Sequence, residues 1–225
     1  MSTRLEFRNN FRAENPEITQ NVISDSLLNA WMLKGNQEIC AATFCILSNE
    51  SYTFNSSTTA QYYDLEANIH KFYAIDDMPG GGVYFDNIPV KKVTPGEMNY
   101  IRKSWKTASP GIPRRYWRRG KYLWFEVKPS AVKQIAIDAY LLPDDFDDDS
   151  KMPFNNLGHL IPFHDAMIKY LQWKCKEKIG KDDEGIKAEL AYTKYVAMMK
   201  SRCKAGNQQS VFFRPSSSNS GLPRY

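Results

Sequence analysis

The chain has no HExxH pair, no G-x-S-x-G turn and no glycine loop closed by Lys-Ser/Thr. It has only three histidines, and His159 and His164 fall off a common helical face. His164 and Asp165 are sequence neighbours, which diverge by about 100° on a helix and form no dyad. Gly80-Gly81-Gly82 is followed by β-type Val83-Tyr84-Phe85 and is read as a hairpin turn. The run Asp144 to Asp149 lacks the alternation of a calcium loop. No catalytic residue, cofactor or metal is therefore expected, and the chain does not read as an enzyme. Its four cysteines, Cys40, Cys45, Cys175 and Cys203, fit neither a zinc nor a disulfide spacing. They are expected as buried free thiols in a reducing compartment. No run of about 18 apolar residues is present, so no membrane partner is expected. Met1 to Asn10 lacks the apolar core of a signal peptide. No internal repeat is apparent.

What is present is ordinary globular material with many rings. Of the 225 residues, 42% are hydrophobic and 24% charged, and 13% are aromatic. Such composition supports a core, and tyrosine and tryptophan also serve interfaces. The net charge of +5 is mild, but its distribution is polar. Arg102 to Lys121 holds eight cations and no acid, while Asp144 to Asp149 holds five aspartates in six residues. That polarity suits copies meeting basic face to acidic face, or two solvated loops.

Residues 1–16 are polar and read as a loose N-terminal arm. Residues 17–204 form the main domain. Its helices are expected over 19–42, 156–178 and 183–204, with a β insertion over 43–142. Gly35 interrupts the first helix. Thr94, Pro95 and Glu97 mark the start of a short helix inside the β region, running to about Trp105. The last helix carries two apolar stripes, Ile186-Leu190-Thr193-Ala197 and Tyr192-Tyr195-Met199. A helix apolar on two faces packs on more than one neighbour. Residues 205–225 are rich in Asn, Gln, Ser, Pro and Gly and read as an extended C-terminal tail. The fold class is thus expected to be α+β: a bundle of about three main helices, an inserted antiparallel β domain and an extended tail.

Two surfaces are candidates for binding. Pro113 to Lys121 interleaves Arg114, Arg115, Arg118 and Arg119 with Tyr116 and Trp117, a pattern that tracks phosphates and stacks on bases. A nucleic-acid-binding accessory protein using residues 102–121 is therefore one functional reading. The tail carries Val211, Phe212, Phe213, Arg214, Leu222 and Tyr225, apolar and cationic residues suited to ordering on a partner.

The second reading comes from motif order. Leu28-Asn29, Gly35, Gln37-Glu38-Ile39, Tyr63-Asp64-Leu65 and Trp105 are followed by Gly111-Ile112-Pro113 with Tyr116. Lys128-Pro129, Leu142-Pro143, His164-Asp165-Ala166 and Tyr195 complete the series. This order resembles the head-to-tail connector (adaptor) family of tailed bacteriophages. Leu65-Glu66 stands where that family has Leu-Pro, and the glycine segment before Val83 and the long tail also depart from it. The resemblance implies a structural virion protein, assembled in the host cytoplasm, at the head-to-tail interface. It implies a homo-oligomeric ring of about twelve copies beneath the portal protein. Further implied partners are tail or other connector proteins and, transiently, packaged double-stranded DNA in the channel. Trp31, Trp173, Tyr195, Trp117 and the four arginines would then serve subunit or tail contacts. The tail from Val211 to Tyr225 would dock on the portal.

Overall fold

A computed structural model describes residues 3–48, 50–77, 81–101 and 104–212, with side chains described through residue 203. Among the described residues six α-helices and nine strands are seen. In chain order they are α1 (Arg4–Glu14), α2 (Asp25–Thr43), β1 (Tyr52–Asn55), β2 (Tyr62–Asp64), α3 (Leu65–Asn68), β3 (Phe72–Ile75), β4 (Val83–Phe85) and β5 (Ile88–Lys92). There follow α4 (Pro95–Ile101), β6 (Arg115–Arg119), β7 (Tyr122–Phe125), β8 (Gln134–Ile137), β9 (Ala139–Leu141), α5 (His164–Lys178) and α6 (Asp182–Phe212).

Seven strands form one curled sheet in the order β1-β8-β4-β5-β6-β7-β2, and β3 pairs separately with β9. The curl follows from the connection between β1 and β2. These strands lie on opposite edges, yet only residues 56–61 join them. A flat sheet of seven strands at ~4.8 Å spacing is roughly 29 Å across. The segment from Asn55 to Tyr62 reaches at most roughly 24 Å when fully extended. The edges must therefore bend toward each other. Phe54 and Tyr63 meet across the gap, ring centroids 5.8 Å apart. The Tyr63 hydroxyl fastens the loop, accepting from the Ser57 N–H at 3.0 Å and lying 3.2 Å from its carbonyl.

Inside the curl, Tyr63, Leu65, Phe72, Val83, Phe85, Tyr116, Leu123, Phe125, Ile135 and Ile137 make a continuous buried cluster. The alternation Tyr122-Leu123-Trp124-Phe125 sends Leu123 and Phe125 inward and leaves Tyr122 and Trp124 on the outer face. β5 and β6 pair in parallel, because α4 crosses over between them. At Asp138 the chain passes from the large sheet to the small one: its N–H donates to Gly82 and its carbonyl accepts from Asp76.

This architecture replaces the expected bundle of about three helices with a small inserted antiparallel β domain. The dominant element is the seven-stranded curled sheet, six helices accompany it, and one strand pair is parallel. Strands of three to five residues carry too little periodicity to announce a sheet this large. Closing it needs pairings between segments far apart in sequence. Of the glycine segment read as a hairpin turn, Gly80 lies outside the described residues; the strands before and after the segment, β3 and β4, pair with β9 and with β5 and β8.

The N-terminal arm is a helix, not a loose segment. Thr3 and Glu6 form a reciprocal capping box, and Phe7 and Phe11, one turn apart, enter the helical core. The same face carries Arg4, Arg8 and Arg12. The Arg4 Nε donates to Asp149 at 2.9 Å, Arg8 forms a two-pronged contact with the same carboxylate, and Arg12 reaches Asp25 at 2.6 Å. The helical core lies among α1, α2, α5 and α6. Gly35 does not break α2. A β-carbon there would stand 2.7 Å from the Tyr170 ring, so glycine permits close approach of α5. Helix α6 continues to Phe212, beyond the expected end at Lys204.

Candidate functional site

All four cysteines are buried and unbridged. Burial pushes the Cys175 and Cys203 thiols up to about 12, away from reactive thiolate. Among the described residues no group of His, Cys, Asp and Glu is placed to hold a metal ion. His70 and His159 are exposed and separate, and the His164 ring packs against Phe7 and Phe154. Burial lowers the His164 pKa. Among the described residues no helix is long and apolar enough to cross a membrane. Two surfaces carry exposed apolar or aromatic side chains.

The first is the outer face of β2, β6 and β7. Register places Trp117 opposite Trp124 and Trp124 opposite Tyr62, a row of rings across three strands. Trp117 and Trp124 are stacked at 5.8 Å, Trp124 and Tyr62 lie 4.7 Å apart, and Tyr122 meets Tyr62 edge-on at 5.6 Å. Trp105, in a single helical turn after α4, caps the row by meeting Trp117 at 4.4 Å. The Trp105 indole N–H donates to Asn99 at 2.8 Å. Trp117 is thus covered within its own chain, whereas Tyr62 and Tyr122 are open to solvent. In the adjoining row Arg119 stands opposite Tyr122 and Tyr122 opposite Asp64. Lys121 pairs with Asp64 at 2.7 Å, which lowers the Asp64 pKa and raises that of Lys121. Lys106 is exposed, its ammonium 5.5 Å from the Trp105 ring centroid.

The four arginines of the sequence-predicted box do not act as one patch. Arg115 is tied to the buried Glu126 at 2.8 Å, and Glu126 also accepts from the Arg114 N–H at 3.0 Å. The Arg118 guanidinium lies over the Phe72 ring at 4.7 Å and donates to Gly120. Burial lowers its pKa. Arg114, just before β6, and Arg119, its last residue, are both exposed. Arg114 opens onto a cleft of about 610 Å³ with Ile101, Ile112 and Val127, at the Pro110–Pro113 box.

The acidic run is largely neutralised inside the chain. Asp144 and Asp145 face Lys71, Asp147 faces Lys151, and Asp149 holds Arg4 and Arg8. Phe146, the one apolar residue in the run, is anchored in the helical core.

The second surface belongs to α6. Its inner side seats Ala188, Tyr192, Tyr195, Val196, Met199 and Cys203 against α2 and α5. Its outer side leaves Ile186 55%, Leu190 67% and Met198 52% exposed, with Thr193 and Ala197 between them. Trp31 and Trp173 are half-buried on the helical core, and Trp173 stacks on Tyr192 at 5.9 Å. The Trp173 face also carries the Lys174 ammonium at 3.5 Å. Tyr195 is half-buried, with its hydroxyl 3.4 Å from Asp165.

Val211 and Phe212 lie in the helical backbone of α6, but their side chains, and Phe213, Arg214, Leu222 and Tyr225 entirely, fall outside the described residues. Sequence reasoning missed Tyr62, Tyr122 and Trp124 as one face. The alternation in Tyr122 to Phe125 was legible, but the pairing of β2 onto β7 was not. No family model matches the chain, and a search of the curated proteins finds no match.

Proposed function

We propose that the chain is a structural subunit that assembles with copies of itself into a ring. By its resemblance to phage connectors, that ring would stand beneath a portal, extend a DNA channel and attach a tail. The observation that carries the reading is the outward stripe of α6. The inner side of this helix is already satisfied by its own core, yet Ile186 and Leu190 face solvent one turn apart, and Met198 is exposed two turns beyond on the flank of that side. Full burial of each is worth ~1.5–3 kcal/mol, so leaving all three wet is costly without a neighbour. The motif order from Leu28 to Tyr195 supports the particular assembly, and the tail from Val211 to Tyr225 is the segment proposed to reach the portal.

Size-exclusion chromatography with light scattering, followed by electron microscopy of the purified protein, tests this. Wild-type chains are expected as closed rings, at least when the portal is added. Leu190→Lys is expected to yield well-folded monomers. A wild-type protein that stays monomeric with and without portal at micromolar concentration overturns the reading, as does a Leu190→Lys variant that assembles as well as wild type.

A further inference from the structure

We propose that the outer face of β2, β6 and β7 binds a single-stranded polynucleotide. Its bases would stack on Tyr62 and Tyr122, beside Trp124, and its phosphates would lie against Arg119, Lys121 and Lys106. This goes beyond ring assembly and does not depend on it.

The argument begins with ring exposure. Tyr62 is 50% exposed on an edge strand, although its neighbours Tyr122 and Trp124 lie within 4.7 to 5.6 Å and could have been packed over by a loop. Two adjacent strands, β2 and β7, present the open rings Tyr62 and Tyr122 side by side, surfaces on which unstacked bases can lie. The platform is stiff. Trp124 is backed by Trp117, Trp117 by Trp105, and Trp105 is fixed by Asn99, so little side-chain freedom is lost on binding.

Charge then selects the occupant. Arg119 lies beside Tyr122 in the ladder, Lys121 sits 5.4 Å from the Tyr122 ring centroid, and Lys106 borders Trp105 at the other end of the row. Two carboxylates, Asp64 and Glu66, lie near Lys121, and Lys121 already binds Asp64. Cations flanking open rings fit a ligand that is both polyanionic and flat-faced. A duplex keeps its bases stacked internally and offers the rings nothing. An acidic peptide offers charge but no flat faces.

The test uses the full chain, titrated with a labelled oligothymidine of about 12 nucleotides at low and moderate salt. A duplex of equal length and polyglutamate serve as competitors. Oligothymidine is expected to bind and to quench tryptophan fluorescence. Tyr62→Ala and Tyr122→Ala should each weaken binding roughly 5- to 150-fold, the range for one lost base stack. Tyr62→Phe, which keeps the ring, should bind like wild type, so a poorly folded alanine variant does not leave the question open. Arg119→Ala should reduce the salt slope by about one. No binding at low salt overturns the proposal. So does competition by polyglutamate or duplex as strong as by oligothymidine, or affinity indifferent to both ring substitutions. If the ring substitutions instead change oligomeric state in a protein that ignores oligothymidine, the face belongs to a protein contact and the proposal is likewise wrong.

Discussion

Replacing Gly35 with alanine should destabilise the chain, against the ordinary rule for a helix interior. Alanine is favoured over glycine in a helix by ~1 kcal/mol, through lower backbone entropy in the unfolded state. At this site the added β-carbon would lie 2.7 and 2.9 Å from Tyr170 Cδ1 and Cε1 and 3.0 Å from Met167 Sδ. Tyr170 and Met167 are both fully buried. The ring cannot swing aside, because Trp173 meets it edge-on at 5.9 Å and Tyr192 at 5.4 Å. Overpacking a tight core costs typically ~1–3 kcal/mol, and more where rings must shift. The two effects together leave Gly35→Ala less stable by about 1–2 kcal/mol. For a chain of this size that lowers the melting temperature by about 2–8 °C. Urea unfolding at fixed protein concentration, followed by circular dichroism, measures it. The cause is isolated by repeating the substitution in a Tyr170→Ala background. There the ring clash is gone and only the flexible Met167 side chain remains at 3.0 Å, so Gly35→Ala should become neutral or stabilising by up to about 1 kcal/mol. A Gly35→Ala protein at least as stable as wild type would refute the close-approach argument. So would an equal penalty in both backgrounds, which would place the cost elsewhere.

Two further outcomes follow from α1. Phe11→Ala should cost about 3–5 kcal/mol by urea unfolding, because the ring is fully buried at the centre of the helical core; a cost below about 1 kcal/mol would mean that α1 is not docked as described. Hydrogen bonds from Arg8 and Arg4 lower the Asp149 pKa, so the bonds contribute at neutral pH and are lost as pH falls through that depressed value. The urea midpoint of wild type should therefore exceed that of Asp149→Asn near pH 7, and the gap should close toward about pH 2; a gap that persists unchanged in acid would exclude the clasp as its source.

How much of this was legible in the sequence depends on how local the signal was. Thr94 and Glu97 form the reciprocal cap read from their spacing: the Thr94 N–H donates to Glu97 at 2.6 Å and the Glu97 N–H to Thr94 at 3.2 Å. The same signature, Thr3 and Glu6, opens α1, and a reading of residues 1–16 from polar composition passes over it. The decisive evidence, Phe7 and Phe11 at helical spacing beside Arg4, Arg8 and Arg12, becomes meaningful only once Asp149 and Asp25 are known to lie opposite. The partners of Asp149 were illegible for the reciprocal reason, since Arg4 and Arg8 stand at the other end of the chain. The outward and inward stripes of α6 could be separated by helical spacing alone, although which side faced the core could not.

The sheet marks the limit of local reading most sharply. β1 and β2 follow each other in sequence and end on opposite edges, and the strands between them in the sheet come from residues up to Ile137. Each strand contributes three to five residues, so register rests on inward side chains such as Leu123 and Ile135 meeting in one enclosed cluster. The short β1–β2 connection then closes the curl. That same curvature turns Tyr62, Tyr122 and Trp124 outward as one surface, because their alternate neighbours Tyr63, Leu123 and Phe125 are committed to the interior. The exposed face is therefore a geometric consequence of filling the sheet's interior. Substitutions that preserve the inward set should leave it presented, whatever partner it meets.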